Sequence, residues 1–332
     1  MNDQILAGYD AAQQGAVFFP QTESGYLRIG REDQVAFLQR QTTNDVTALQ
    51  PGRALVTVLT SATARILDVL YLLKESDAID ALTLPGFGEK TASFLKSRIF
   101  FNDNVTVDNL STLVAQADLF GPQAEAVLKK LGVEQIPGKD EVVSIQLAGE
   151  DLRVLSSDPI FGMGYRLLAP AESADPIYQA LEEAGALKIA PDIYLTLRVE
   201  AGQPEAGYEL TDDYTPLETG LETAISGSKG CYTGQEVIAR QITYDKVTQR
   251  LCGLRLSTWV EPGARVWAAG KPVGTLTSSV ESPQFGPIAL AILKRPFYEP
   301  GTAVTVSNPE EAGIPGEAGI SAVVSPLPFH NP

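Results

Sequence analysis

The chain has 332 residues, of which 44% are hydrophobic and 20% are charged. This length and composition are typical of a folded protein with two or three domains, and they exclude a disordered chain. Lys and Arg number 25 against 41 Asp and Glu, which gives a net charge of -16. Because such a charge repels phosphate backbones and anionic lipids, we expect neither direct nucleic-acid binding nor membrane contact.

The scarcity of histidine and cysteine narrows the chemistry further. The only histidine, His330, lies in the terminal PFHNP segment, where we expect a surface position, so Ser-His-Asp triads are excluded. The two cysteines, Cys231 and Cys252, cannot supply the ligands of a tetrahedral zinc site or the four thiolates of an iron-sulfur cluster. We therefore expect no metal site, and any involvement in iron-sulfur chemistry must be indirect.

The beginning of the chain, MNDQILAGYDAAQQ, lacks the basic patch and the apolar stretch of a signal peptide. No apolar run approaches the roughly 18 residues of a membrane span. Two cysteines are also too few for a disulfide framework of the kind found in small secreted domains. Together these observations predict a cytoplasmic protein.

Residues 1–110 have the pattern of a small α+β unit. Apolar spacing predicts a strand at 26–29, a helix at 32–41, strands at 54–59, 66–73 and 78–84, a helix at 88–99 and a strand at 105–107. The predicted order is therefore β-α-β-β-β-α-β, a variation on the split βαβ plan of ferredoxin-like folds.

Residues 111–246 begin by repeating that order. The predicted elements are a strand at 112–119, a helix at 122–131, strands at 142–147, 152–155 and 165–168, and a helix at 175–185. A helix at 191–200 follows, and then a long loop at 201–220 that is rich in Gly, Pro and acidic residues; loops of this length are usually functional. We therefore predict two tandem ferredoxin-like α+β units.

From residue 247 the chain changes to short β-like segments, LCGLRL, KPVGTLTS, PIALAIL and TAVTV, which are separated by Pro and Gly turns. This spacing is typical of a small β-barrel. The predicted fold class is α+β with three domains, which comprise residues 1–110, residues 111–246, and a C-terminal β-barrel with its tail at residues 247–332.

The run KGCYTGQE at residues 229–236 carries the strongest chemical signal. Its glycines free the backbone around Cys231, and the helical spacing from Gln235 to Arg240 places the cysteine just before a helix N-terminus, which favours a thiolate. Lys229 adds a positive group nearby, so we predict an exposed and activated thiol. The alternative is a buried small hydrophobe, which is the interpretation that we favour for Cys252 in the apolar LCGLRL strand.

The string KGCYTGQEVIAR resembles the signature of the YgfZ family of folate-binding proteins, which are related to the aminomethyltransferase (T-protein) of the glycine cleavage system. Other stretches similar to this family are FLQRQTTNDV at 37–46, RVEAGQPEAGYEL at 198–210 and TPLETGL at 215–221. The resemblance spans most of residues 26–256. Beyond these residues the barrel resembles the family in its predicted architecture more than in sequence motifs. It implies a three-domain fold around a central channel that holds tetrahydrofolate.

The resemblance also implies the ligands of this folate. Glu200 resembles the carboxylate that related enzymes use for the pterin, whose adjacent N-H and amino groups suit one carboxylate. Tyr194 stands where some members carry an aromatic residue that stacks on the ligand, and Lys229 and Arg198 are candidate cations for the glutamyl tail. Asn44 lies in a loop segment that the family shares. For Asn44, as for Arg198, the alternative to ligand binding is a structural role.

Asp68, in the apolar strand ARILDVLYLL, is a third catalytic candidate beside Cys231 and Lys229. An acid is costly to bury there without a partner, and the resemblance implies a catalytic aspartate at a comparable point of aminomethyltransferases. The alternative is that the strand simply exposes it. The KGCYTGQE run is a departure from glycine-cleavage enzymes, which have a different sequence there without the cysteine.

The resemblance therefore favours a tetrahydrofolate-binding protein that supports the assembly or repair of iron-sulfur enzymes, including those that modify tRNA. In this hypothesis Cys231 makes transient contact with iron-sulfur client proteins. Two alternatives remain open. One is a folate-dependent aminomethyltransferase or another one-carbon transfer enzyme, and the other is a non-enzymatic interaction scaffold.

Overall fold

The structure is a computed structural model that describes residues 3–147, 149–157, 160, 164–307 and 319–329. His330 lies outside the described residues, so its surface position stays a prediction. The chain forms two compact units. The first contains residues 1–193 and 223–235, and the second contains residues 194–222 and 236–332.

The helices are α1 (Asp3–Gln14), α2 (Gln34–Gln41), α3 (Gly88–Ser97), α4 (Ala124–Lys130), α5 (Ala174–Ala184), α6 (Pro191–Ala201) and α7 (Gln235–Thr243). Among these described helices, none combines the length and the apolar composition needed to cross a membrane. The strands of the first unit are β1 (Ala16–Pro20), β2 (Ser24–Gly30), β3 (Ala54–Thr60), β4 (Ile66–Lys74), β5 (Ala78–Pro85), β6 (Thr106–Asn109), β7 (Val114–Phe120), β8 (Val142–Leu147), β9 (Glu150–Ser157), β10 (Gly164–Pro170) and β11 (Ala186–Lys188).

A five-stranded antiparallel sheet in the first unit has the strand order β3-β4-β5-β2-β6. Helices α2 and α3 pack on it because their apolar residues recur at helical spacing and form one buried face. The resulting core contains Phe37, Leu38, Ala92 and Leu95 of the helices together with Leu27, Ile29, Leu59, Leu70, Leu72 and Ile79 of the strands. The predicted order β-α-β-β-β-α-β is confirmed for this sheet.

A six-stranded sheet in the same unit has the order β11-β1-β7-β10-β9-β8. The spatial order β7-β10-β9-β8 in this sheet corresponds to the order β2-β5-β4-β3 in the first sheet. Helices α4 and α5 follow β7 and β10 along the chain as α2 and α3 follow β2 and β5. The predicted repetition of one α+β plan is therefore present.

The helix α1 and the strand β1 were not predicted from the sequence. Strand β1, with the residues AVFFP, is an apolar run too short for periodicity to separate it from other buried segments. It pairs with β7 in the second sheet, although it precedes the first sheet in the chain. The domain boundaries at residues 110 and 246 stay predictions.

The two sheets carry the same type of ion pair with its charges reversed. Arg28 on β2 lies opposite Asp80 on β5, whereas Asp118 on β7 lies opposite Arg166 on β10. The Nε atoms of the arginines are 2.8 Å and 2.6 Å from the facing carboxylates, and each Nη2 makes a second contact of 2.9 Å. Two parallel contacts of this kind make the pairs directional as well as attractive.

The second unit contains a closed barrel with the strand order β12-β15-β14-β13-β16-β17. These strands are β12 (Gln249–Leu256), β13 (Arg265–Ala268), β14 (Lys271–Ser282), β15 (Gly286–Lys294), β16 (Ala303–Ser307) and β17 (Ile320–Ser325). Buried apolar residues from all six strands form the core of the barrel. The predicted α+β fold class with a C-terminal β-barrel is confirmed.

A buried carboxylate joins the two sheets of the first unit. Asp80 on β5 is fully buried and accepts hydrogen bonds from the Tyr26 hydroxyl, from Arg28, and from Arg153 Nη1 at 3.1 Å. Arg153 belongs to β9 of the second sheet, and its Nη2 also donates to the Tyr26 hydroxyl at 2.6 Å. Burial by itself raises the pKa of Asp80, but the hydrogen bonds from Arg28 and Tyr26 and the nearby positive charges hold it below its ordinary value.

The substitution Asp80→Asn is expected to lower the free energy of unfolding at pH 7 by about 3 kcal/mol, because it removes the anion that Arg28 binds and one of the two carboxylates that Arg153 binds. Since the folded state lowers the pKa of Asp80, its contribution is present above about pH 4 and is lost as pH falls further. Urea unfolding of both proteins should therefore show a difference that shrinks below pH 4.

The matched control for this prediction is Asp108→Asn. Asp108 is the exposed residue opposite Arg28 on β6, on the other side of the same strand. Removing its charge should change the free energy of unfolding by less than about 1 kcal/mol. Equal effects of the two substitutions would contradict the role given to Asp80.

Candidate functional site

The segment 223–235, which carries Cys231, packs within the first unit beside strand β3. Ser226 N donates a hydrogen bond to Thr43 O at 3.0 Å, and the Thr43 hydroxyl donates to Ala224 O at 2.7 Å. The Thr43 hydroxyl also accepts from Val58 N on β3 at 2.9 Å. The beginning of the segment is therefore fixed to the first sheet through one buried threonine.

Lys229 provides the anchor just before the cysteine. Its Nζ donates to Thr42 O and to Asn44 O, both at 2.6 Å, and the residue is buried. Burial lowers the pKa of Lys229 to about 8, and the negative charge of Asp45 opposes this effect. Most of the population is still protonated at pH 7, so the ammonium binds two backbone carbonyls and holds the segment against the 42–44 loop.

A second anchor follows the cysteine. The Thr60 hydroxyl, at the end of β3, donates to Thr233 O at 2.6 Å. Gly234 has φ +85°, and a Cβ at this position would lie 2.7 Å from Ser61 O and 3.0 Å from Ala64 Cα. Only glycine combines this backbone conformation with so close an approach. The chain then enters α7 at Gln235.

The sulfur of Cys231 lies between these two anchors. Cys231 is exposed, as predicted, and it precedes the first residue of α7 by four positions. Cys252 is buried in the barrel, where its thiol donates to Ala291 O at 3.6 Å and where burial raises its pKa to about 12. The predicted contrast between an exposed and a buried cysteine is therefore confirmed, and the activation of Cys231 stays a prediction.

Asn44, a predicted folate ligand, is part of the turn beneath this segment. Its Nδ2 donates to Val56 O at 2.8 Å, and its Oδ1 accepts from Asp45 N at 2.9 Å. Asp45 accepts from the amide and the hydroxyl of Thr47, and these hydrogen bonds from Thr47 lower its pKa. These contacts support the structural alternative for Asn44, and a role toward folate stays a prediction.

Asp68, the predicted catalytic acid, is fully buried in β4. Its carboxylate accepts from the Thr91 hydroxyl at 2.6 Å, from Leu84 N at 3.1 Å and from Val69 N at 2.8 Å. Burial raises the pKa of Asp68 to about 7, although these donors lower it. Asp68 is not exposed by the strand; it braces β4 against the end of β5 and against α3. Direct participation in catalysis stays a prediction.

Glu200, the predicted pterin ligand, lies in the second unit near the C-terminal end of α6 and is fully buried. Its Oε1 accepts from the Ser282 hydroxyl of β14 at 2.5 Å, and its backbone carbonyl accepts from Phe329 N at 2.9 Å. Tyr194 lies on the same helix, is the first residue that belongs to the second unit, and is half-buried. At about 100° per residue, six positions place Tyr194 and Glu200 on helix faces about 120° apart.

Arg198 is buried and binds groups of its own unit. Its Nε is 2.8 Å from Glu205, its Nη1 is 3.0 Å from Glu209, and its Nη2 donates to the Ser278 hydroxyl at 2.8 Å. Glu209 in turn accepts from the hydroxyls of Thr277 and Ser278, both at 2.6 Å. The guanidinium therefore fixes the 203–209 loop to the barrel, which supports the structural alternative; contact with a glutamyl tail stays a prediction.

Sequence reasoning missed the hydroxyl groups that hold these carboxylates. The signal was present in β14, whose sequence KPVGTLTSSVES places a run of Ser and Thr in a strand of a small barrel. Buried hydroxyls require partners, and three of these residues, Thr277, Ser278 and Ser282, bind Glu209 or Glu200. In this chain the hydroxyl-rich strand therefore supplies donors to two buried acids.

Two sequence profiles cover nearly the whole chain. The GCVT N-terminal domain matches residues 1–229, and the glycine cleavage T-protein C-terminal barrel domain matches residues 249–330. The chain belongs to the glycine cleavage T-protein family. Both of the family's domains are matched, and of the KGCYTGQE run only Lys229 lies within the first match.

Curated proteins that are similar in sequence match this chain over most of its length. It is 31% identical to a chloroplastic protein of Arabidopsis thaliana described as a presumed transferase, over 96% of this chain and 72% of that protein. It is 30% identical to the aminomethyltransferase of Thermus thermophilus, over 98% of this chain and 90% of that enzyme. A solved aminomethyltransferase T of the glycine cleavage system from Bartonella henselae has the same fold, with a TM-score of 0.83 at 21% identity over 98% of this chain and 89% of that chain.

The two glycines beside Cys231 provide a test of the second anchor. Gly234→Ala is expected to lower the free energy of unfolding by about 2 kcal/mol, because its Cβ meets backbone atoms at a positive φ. Gly230→Ala is the matched control, because a Cβ there has no neighbour within 4 Å. It should change the free energy of unfolding by less than about 0.5 kcal/mol.

The same pair of variants should differ in the reaction of Cys231 with Ellman's reagent. Gly234→Ala releases the anchor at Thr60 and should change the rate constant for thiol modification, whereas Gly230→Ala should leave that rate constant close to the wild-type value. If both variants match the wild type in unfolding and in thiol reactivity, the described anchor does not hold the loop.

Proposed function

We propose that this protein is a tetrahydrofolate-binding member of the T-protein family, of the YgfZ type, which supports the assembly or repair of iron-sulfur enzymes, including tRNA-modifying ones. The observation that carries the proposal is the exposed Cys231 between two anchors on a family scaffold. An accessible thiol held in one place suits repeated, short-lived contact with client proteins better than a mobile thiol does.

The chemistry of Glu200 suits a reduced pterin. A pterin presents an N-H and an amino group side by side, and a buried carboxylate is the acceptor that such a pair of donors requires. When bound, tetrahydrofolate supplies a carrier for one-carbon groups. Glu200 carries the folate part of the proposal through this carboxylate chemistry, with Tyr194 as an accessory contact; Lys229, Arg198 and Asn44 also contact groups within the protein.

Cys231 carries the client part of the proposal. Once deprotonated, its sulfur can donate an electron pair to an iron atom of a client cluster and leave again when a client ligand replaces it. Since the described residues contain no group of three or more candidate metal ligands, the proposed role is transient ligation at the surface of the protein.

A second candidate function is aminomethyl transfer. Its support is the 30% identity with the Thermus thermophilus aminomethyltransferase over nearly the full length of both chains. The two candidates share a folate site and differ at Cys231. Formation of methylene-tetrahydrofolate from an aminomethyl donor, at a rate that is unchanged in Cys231→Ala, would favour the transferase.

Glu200→Gln tests the folate site. The wild-type protein is expected to bind tetrahydrofolate with a dissociation constant below about 100 μM in a calorimetric titration, and Glu200→Gln should raise that constant at least about tenfold by removing a charge-assisted acceptor. The control Glu222→Gln removes an exposed carboxylate and should leave the constant unchanged. Absence of wild-type binding at 100 μM would mean that the folate assignment is wrong.

Cys231→Ala tests the thiol. This variant should bind tetrahydrofolate like the wild type but fail to restore iron-sulfur enzyme activity in a strain that lacks the protein. The control Cys252→Ala removes the buried cysteine and should restore activity. Full restoration by Cys231→Ala would leave the non-enzymatic scaffold as the better hypothesis.

A further inference from the structure

The hydroxyl of Ser282 has all of its hydrogen-bonding positions filled. It stands at the end of β14, and its oxygen accepts from Gln284 N at 3.1 Å and from Phe285 N at 2.9 Å in the turn to β15. A serine hydroxyl has two acceptor lone pairs and one proton. Because two amides occupy the lone pairs, the proton is directed away from them, toward Glu200 Oε1 at 2.5 Å.

Glu200 is in a place where a carboxylate needs such a donor. It lies in the last turn of α6, where the negative end of the helix dipole opposes a negative charge. The neighbouring core is apolar and contains Val199, Val280 and Phe329. An ionised group is costly to keep in such surroundings without directed hydrogen bonds.

We propose that Ser282 is the positioning residue of the folate site: its hydroxyl, oriented by two amides of the β14-β15 turn, fixes the rotamer of the Glu200 carboxylate before the ligand binds. This inference rests on the proposed function. The pterin then meets an acceptor that is already oriented, and the free energy of binding is not reduced by the ordering of a flexible acid.

The matched control is Ser279 of the same strand. Both serines are buried, but the Ser279 hydroxyl donates to Val260 O at 2.5 Å, a backbone carbonyl away from Glu200. Ser282→Ala is expected to raise the dissociation constant for tetrahydrofolate about tenfold, the usual effect of losing a hydrogen bond to a charged group. Ser279→Ala should leave that constant unchanged even where it lowers the melting temperature.

A double-mutant cycle separates positioning from general destabilisation. In a Glu200→Gln background, Ser282→Ala should have little further effect on tetrahydrofolate binding, because both substitutions remove the same oriented carboxylate. Ser282→Thr keeps the hydroxyl and should retain most of the wild-type affinity. If Ser282→Ala does not fold, Ser282→Cys replaces it in the test. Cysteine keeps a weak donor and a weak acceptor, so the expected loss of tetrahydrofolate affinity is smaller.

The outcomes distinguish the inference from the function on which it rests. A wild-type protein that binds tetrahydrofolate and a Ser282→Ala variant that binds it equally well would overturn the positioning role and leave the folate site intact. Additive effects of Glu200→Gln and Ser282→Ala would also overturn it. A wild-type protein that does not bind tetrahydrofolate would overturn both.

Discussion

A carboxylate buried away from water must receive hydrogen bonds, and this requirement organises both units of the protein. Asp68, Asp80, Glu200 and Glu209 are all fully buried. Three of them receive donors from strands that lie more than 50 residues away in the sequence: Asp80 from β2 and β9, and Glu200 and Glu209 from β14. Removing a donor would leave a charge unsolvated, so these acids fix which elements can be neighbours.

The same constraint gives the candidate site its rigidity. Around Cys231 the polar groups that become buried are backbone carbonyls, and they are satisfied by Lys229 and by the Thr60 hydroxyl. The thiol itself lies between these contacts and remains exposed. A reactive group can be held in position only if its neighbours carry the interactions, and here those neighbours are the residues on either side of the cysteine.

Several candidate residues have contacts within the protein that support the structural alternative, while their roles toward a ligand stay predictions. Lys229, Arg198 and Asn44 are polar residues in a segment with a functional signature, and a sequence alone does not say whether such groups face a ligand or the protein. Their partners are backbone carbonyls, acidic side chains and a barrel hydroxyl. Glu200 likewise accepts from a barrel hydroxyl, and it lies near the negative end of a helix, where the dipole opposes its charge.

The sequence by itself determined the fold class, most of the strands and helices, and the contrast between Cys231 and Cys252, because apolar periodicity and the polarity of flanking residues are local properties. It did not reveal β1, whose short apolar run acquires its meaning only from pairing with β7 and β11. Ser282 and Thr60 were equally hidden. Ser282 donates to an acid that is 82 positions away in the sequence, and Thr60 donates to a carbonyl that is 173 positions away. Only the tertiary structure brings such residues together.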